Sequence, residues 1–168
     1  MLISYIHHRK CCTRLLLRGH LKLGVLDVFR PLPKCSGGHL YILAVIDKFS
    51  KWAKVVSLKE VKKENVANFI RGNIIYCVGI PRYILKDNGM PFDNKWMTKI
   101  CYLFGFKQYN SSKYYVAANG LAEAFNKTIC NLLKKVVSKS KIYWHERMEE
   151  ALWAYRTTYC TPTQATPY

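Results

Sequence analysis

The sequence predicts a mixed α/β domain, a five-stranded mixed sheet flanked by helices. Three features of the text carry that prediction. Strand-like runs with short connections come first, the apolar period then shifts to helical spacing, and short strands afterwards alternate with helices. The chain has 168 residues, about one domain at roughly 100–200 residues per domain.

Residues 1–20 show no clean periodicity and are left as an uncommitted N-terminal extension; 21–168 form the expected domain. Leu21 to Phe29 is rich in branched and aromatic residues and reads as a strand. It closes in a loop through Pro31-Leu32-Pro33 and Ser36-Gly37-Gly38. Leu40 to Ile46 is a continuous apolar run, as expected of a buried central strand. Lys51 to Ser57 makes a third strand, and short connections suggest an antiparallel meander. Val61, Asn65, Phe69 and Asn73, with Val66 and Ile70, then fall at helical spacing as far as Gly79-Ile80-Pro81. Tyr83 to Lys86 is a short strand running into Asp87-Asn88-Gly89. Asp93 is the expected N-cap of a helix containing Trp96, Ile100 and Leu103 and stopped by Gly105. Phe106 to Tyr109 is the fifth strand; Asn119 to about Lys139 and Trp144 to about Tyr159 are the remaining helices.

Twenty-seven Lys and Arg oppose ten Asp and Glu, a formal net charge of +17. A surplus of that size favours a polyanionic partner, nucleic acid before an anionic membrane surface. Half the residues are hydrophobic, which argues against disorder. No apolar run approaches the roughly 20 residues needed to span a bilayer. The first 26 residues contain Arg9, Lys10, Arg14, Arg18 and Lys22 without an acid, as in a mitochondrial transit peptide, yet they are poor in serine. The seven cysteines are odd in number and irregularly spaced, which argues against a disulfide framework. His7, His8, Cys11 and Cys12 lie close together but lack the two spaced ligand pairs of a structural zinc site.

Three acids draw notice. Singly, each has an ordinary reading: Asp27 as a strand-end residue facing water, Asp87 as part of a turn, and Glu123 as a solvated helix residue beside lysines. Helical geometry places Asn126, Lys127, Cys130 and Lys134 on or near the Glu123 face. Taken together, two strand positions and a facing helix would supply an all-oxygen site suited to hard cations such as Mg²⁺. Two such ions, about 3.5–4 Å apart, can hold a phosphodiester between attacking and leaving oxygens. The lysines would then suit the neighbouring phosphates.

The phrases Leu26-Asp27-Val28, Gly38 through Trp52, Gly79-Ile80-Pro81 and Asp87-Asn88-Gly89 resemble the catalytic core of retroviral and long-terminal-repeat retrotransposon integrases, especially the Ty3/gypsy type. Asn119-Gly120, Ala122-Glu123, Asn126-Lys127 and Trp153-Ala154-Tyr155-Arg156-Thr157 extend the resemblance, with 35 residues between Asp87 and Glu123. It implies a ribonuclease H-like fold and metal-dependent phosphoryl transfer on DNA, comprising 3′-end processing and strand transfer. By position, Asp27, Asp87 and Glu123 would be catalytic ligands of two Mg²⁺ or Mn²⁺ ions, and Asn119, Asn126 and Lys127 would lie along DNA; Lys134, on the same helix stripe, would suit a phosphate of that DNA. Asp47 and Trp52 are expected to serve the fold. The implied partners are element ends, target DNA and further copies of the chain, with no membrane, and the implied address is the nucleus.

The family pattern is also broken in places. Arg30 stands where Gly is usual, and Pro91 and Leu121 stand where Gln is usual. Lys86 and Lys113 replace small, polar or proline residues. The sequence stops at Thr166-Pro167-Tyr168, short of the family's small C-terminal domain, and shows no zinc-binding N-terminal domain. A truncated or degenerate copy is therefore the expectation. Two alternatives to an integrase core stand beside it: a catalytically inactive DNA-binding relic and a ribonuclease H-like nuclease acting on RNA.

Overall fold

The computed structural model describes residues 21–31, 33, 35–86, 92, 94–111, 116–137 and 143–167, with the side chains of 116–119 outside the description. Five strands, β1 (Leu23–Phe29), β2 (Tyr41–Asp47), β3 (Ala53–Leu58), β4 (Tyr83–Lys86) and β5 (Lys107–Asn110), make one sheet of order β3-β2-β1-β4-β5. The first three pair antiparallel, while β4 and β5 join parallel. The sheet is mixed, as the sequence predicts. Strand β2 is an interior strand, buried on both faces, while β1 holds the middle of the sheet.

Alternation along the strands sends side chains to two cores. On one face Val25, Ile42, Ala44 and Ile46 pack with Ala122, Phe125, Ile129 and Leu133 of α3 (Val116–Val136) and Ala151 and Leu152 of α4 (Met148–Thr157). On the other, Leu26, Leu43 and Val45 meet α1 (Lys63–Phe69) and α2 (Lys95–Phe104). Helix α1 runs Lys63–Phe69, widens into a π-helical stretch Ile70–Ile75, and closes with an α-turn Tyr76–Val78. The apolar spacing predicts a helix there but carries no sign of the wider turn. Helix α2 is Lys95–Phe104.

Several boundaries differ from expectation. The cap of α2 is Asn94, whose side chain accepts from the amides of Trp96 and Met97; Asp93 lies outside the described residues. Gly105 ends that helix in the left-handed region at φ 72°, where a Cβ is unfavourable. Helix α3 begins at Val116, before Asn119, and α4 begins at Met148, after Trp144. Trp144 instead anchors the turn that precedes α4: it is fully buried, and its Nε1 donates to the Pro33 carbonyl at 3.0 Å. Asp47 and Trp52 serve the fold as expected. The Asp47 carboxylate accepts from the Ser50 amide and hydroxyl, both at 2.8 Å, and Trp52 is buried beneath the Arg156 guanidinium.

Candidate metal and nucleic-acid site

Asp27 has the strand parity of Val25 and Phe29, so its side chain lies on the α3 face of the middle strand. It is half-buried. An isolated carboxylate there would be costly, and the structure supplies two donors. The Val28 amide donates to Oδ1 at 2.8 Å, and Asn126 Nδ2 of α3 donates to Oδ2 at 2.6 Å. An ionised carboxylate accepts only, so this contact fixes which end of the Asn126 amide faces Asp27. The other end, Oδ1, is buried and has no hydrogen-bond partner among the described residues. A carboxylate with lone pairs to spare and an orphaned amide oxygen beside it form an oxygen-rich corner that suits a hard cation.

Glu123 stands one helical turn before Asn126, on the same side of α3, and is exposed. The Asn126–Asp27 bond therefore links the Glu123 helix to the Asp27 strand. In the parallel pair Leu26 lies opposite Lys86, and Asp27 and Asp87 are the next residues after these two partners in sequence. Asp87 itself lies outside the described residues. Asn119 falls in the first turn of α3, its side chain likewise outside them.

The expected α3 stripe is present. Glu123, Lys127 and Lys134 are exposed, Asn126 and Cys130 are half-buried at its edge, and Ala122, Phe125, Ile129 and Leu133 fill the opposite, buried side. Burial pushes the Cys130 thiol up, opposed by nearby Lys134. Glu123 to Lys134 spans roughly 16 Å at 1.5 Å per residue, long enough to follow a nucleic-acid backbone. Asn126, expected along DNA, has one end of its amide committed to Asp27. That tie joins residues 99 positions apart, and no local pattern announces it.

The substituted positions have definite places. Arg30 turns onto β2, donating to the Tyr41 hydroxyl at 3.0 Å and lying over its ring. Leu121 packs against the core between the sheet and α3. Lys86 is buried, its amine donating to the Phe92 carbonyl at 3.3 Å. Pro91 and Lys113 lie outside the described residues.

Sequence reasoning missed a second cluster. Cys35, His39 and His145 present ligand atoms all within 4.8 Å of one another. The pair Cys35-x3-His39 is visible in the sequence, but its third member is more than a hundred positions away. His7, His8, Cys11 and Cys12 lie outside the described residues.

A mixed sheet of this order, with α3 crossing the strand that bears Asp27, defines a ribonuclease H-like fold. The same fold occurs in the HTLV-2 integrase catalytic core domain in complex with magnesium (trimeric form), at TM-score 0.72 and 21% identity, over 88% of this chain and 94% of that one. A simian T-cell lymphotropic virus intasome, in complex with a PP2A regulatory subunit, contains a chain similar at TM-score 0.76 and 19% identity, over 88% of this chain and 53% of that one. In sequence, the chain is 28% identical over 143 residues to the Gypsy retrotransposon integrase-like protein 1 of Bos taurus, covering 85% of this chain and 28% of the relative. It is 27% identical over 144 residues to the Transposon Tf2-3 polyprotein of Schizosaccharomyces pombe, covering 85% and 11%. The chain thus spans little more than a quarter of the bovine relative. Residues 22–115 match the family model described as Integrase core domain. The chain belongs to the integrase core domain family.

Proposed function

We propose that this chain is the catalytic core of a retroelement integrase, carrying out metal-dependent phosphoryl transfer on DNA. The observation that carries the reading is the Asn126–Asp27 bond, which sets a carboxylate-bearing helix across a carboxylate-bearing strand in a protein of net charge +17. Asp27, Asp87 and Glu123 are the catalytic carboxylates and would hold two Mg²⁺ or Mn²⁺ ions; the donor set is all oxygen, and the orphaned Oδ1 of Asn126 lies beside it. Bound there, the ions supply positive charge to the attacking and leaving oxygens of an in-line displacement.

The chain's own residues do the positioning. Asn126 holds the Asp27 carboxylate in one orientation. Lys127, Lys134 and Asn119 lie along α3 and grip phosphates flanking the reacting one. A water or DNA 3′-hydroxyl attacks phosphorus and releases its proton to solvent, the P–O3′ bond breaks, and the departing oxygen takes up a proton from solvent. Such cores act as oligomers on element ends and target DNA, and that task implies a nuclear address.

A second reading, an inactive DNA-binding relic, draws on Leu121 packed against the core and Lys86 buried at the strand end that precedes Asp87. Disintegration of a branched DNA substrate separates the two, because this reverse reaction demands least of any neighbouring domains. The enzyme reading expects strand resealing with Mg²⁺ or Mn²⁺ that vanishes in Asp87→Asn and in Glu123→Gln. DNA binding unchanged by EDTA, without resealing in any metal, would sink it. Cleavage confined to the RNA strand of a hybrid would point to a ribonuclease instead.

A further inference from the structure

We propose that Cys35, His39 and His145 form a zinc site, separate in ligand chemistry from the carboxylate site, that ties the β1–β2 connection to the turn preceding α4. Thiolate and imidazole donors are borderline-soft and suit Zn²⁺, whereas Mg²⁺ prefers oxygen. The cluster is built on both sides. Residues 35–39 form a tight turn in which the Gly38 amide donates to the Cys35 carbonyl at 2.9 Å and the Cys35 amide to the His39 carbonyl at 3.1 Å. Inside it the His39 amide donates to the Cys35 sulfur at 3.1 Å, the contact that steadies a thiolate. Cys35 is buried, and its Sγ lies 3.7 Å from His39 Nδ1.

His145 arrives from the other segment, held by its neighbour Trp144, whose Nε1 reaches Pro33. Its ring stacks on His39 with centroids 4.7 Å apart. Gly37 makes room for this approach. A Cβ there would lie 2.7 Å from His145 Nε2 and 3.1 Å from His39 Nδ1, so both nitrogens crowd one point above the turn. His145 Nδ1 is buried without a hydrogen-bond partner among the described residues. Two protonated imidazoles so close would repel each other. Burial, His145 and Lys59 together hold His39 below its usual range.

Glu146 has a carboxylate oxygen 3.9 Å from His145 Nε2. It or a water completes a four-coordinate shell. On binding, the Cys35 thiol releases its proton to solvent.

The test uses the full chain, stripped with a chelator and titrated with Co²⁺ and then Zn²⁺. One equivalent of Co²⁺ should give a thiolate charge-transfer band that excess Mg²⁺ leaves in place and Zn²⁺ bleaches. Cys35→Ser should abolish the band, and His145→Gln should weaken Zn²⁺ binding about 100-fold. Asp27→Asn should keep the band. X-ray absorption at the zinc edge of the wild type, which does not depend on how the variants fold, should show one sulfur and two nitrogens. A zinc shell without sulfur, or a band that survives Cys35→Ser, would overturn the proposal.

Discussion

At the scale of single residues, Asn126 has the most consequential position. Its amide nitrogen donates to the Asp27 carboxylate at 2.6 Å and acts through that carboxylate, which makes it a positioning residue. Asn126→Ala should lower disintegration activity about 10–100-fold and raise the Mg²⁺ concentration needed for half-maximal rate, as loss of an outer-shell partner does. Stability should fall by only about 1–3 kcal/mol, the range for a hydrogen bond to a charged group. A metal titration read beside a thermal melt separates the two effects. An unaltered Mg²⁺ requirement would confine Asn126 to a structural part. Neither this bond nor the Cys35–His39–His145 cluster was legible in the sequence, since each joins segments far apart in the chain. The sequence singled out the three acids only as a set; singly, each had a bland reading.

At the scale of elements, the sequence was read best where one period dominates. The β1–β2–β3 meander and the α3 stripe came through because an apolar strand-like run or helical spacing continues unbroken across each. Failures fell where a tertiary contact overrides local signal. Trp144 sits at helical spacing from Met148 and Leu152, yet the fold spends it on Pro33. Adjacent Asp93 and Asn94 are both good caps, and the chain places Asn94 at the helix start.

Helix α4 offers a test of its own packing. The Tyr155 hydroxyl donates to the Lys51 carbonyl at 2.9 Å, and its ring meets Phe125 edge-on at 4.9 Å. Burial, then nearby Cys160, pushes this phenol well above its ordinary 10.0. A folded value above the unfolded one stabilises the fold fully below pH 10.0, and that contribution is lost as pH rises through the folded value. Tyr155→Phe should therefore cost about 1 kcal/mol near neutrality, with the deficit shrinking as pH climbs. Melts of both proteins from pH about 7 to about 11 would show the gap close. A constant gap would mean that the phenol is not the titrating group.

At the scale of the whole molecule, the +17 charge and the α3 lysines lead to a thermodynamic expectation. DNA affinity should fall steeply with salt. Lys127→Ala and Lys134→Ala should each reduce the slope of log K against log salt by about 1, with similar losses on any sequence. Fluorescence anisotropy across a salt series measures this directly, and an unchanged slope would remove α3 from the backbone contact. Charge was legible from composition alone. Its arrangement along one face of α3 was legible from helical spacing, and only the turning of that face away from the core needed the helix to be placed on the sheet.

The two outer strands of the sheet carry a different implication. On one side, Arg156 takes the Ala53 carbonyl through Nε and Nη2, and Lys54 of the same strand pairs with Glu149, so α4 is fastened against β3. On the other, β5 is four residues long, Lys-Gln-Tyr-Asn, and largely solvent-facing. Bare sheet edges invite another chain to add a strand, and a clasped edge or a short, polar, charged one discourages it. Copies of this chain that assemble should therefore meet through side chains on helices and loops rather than by splicing their sheets, which leaves each protomer free to separate without unravelling.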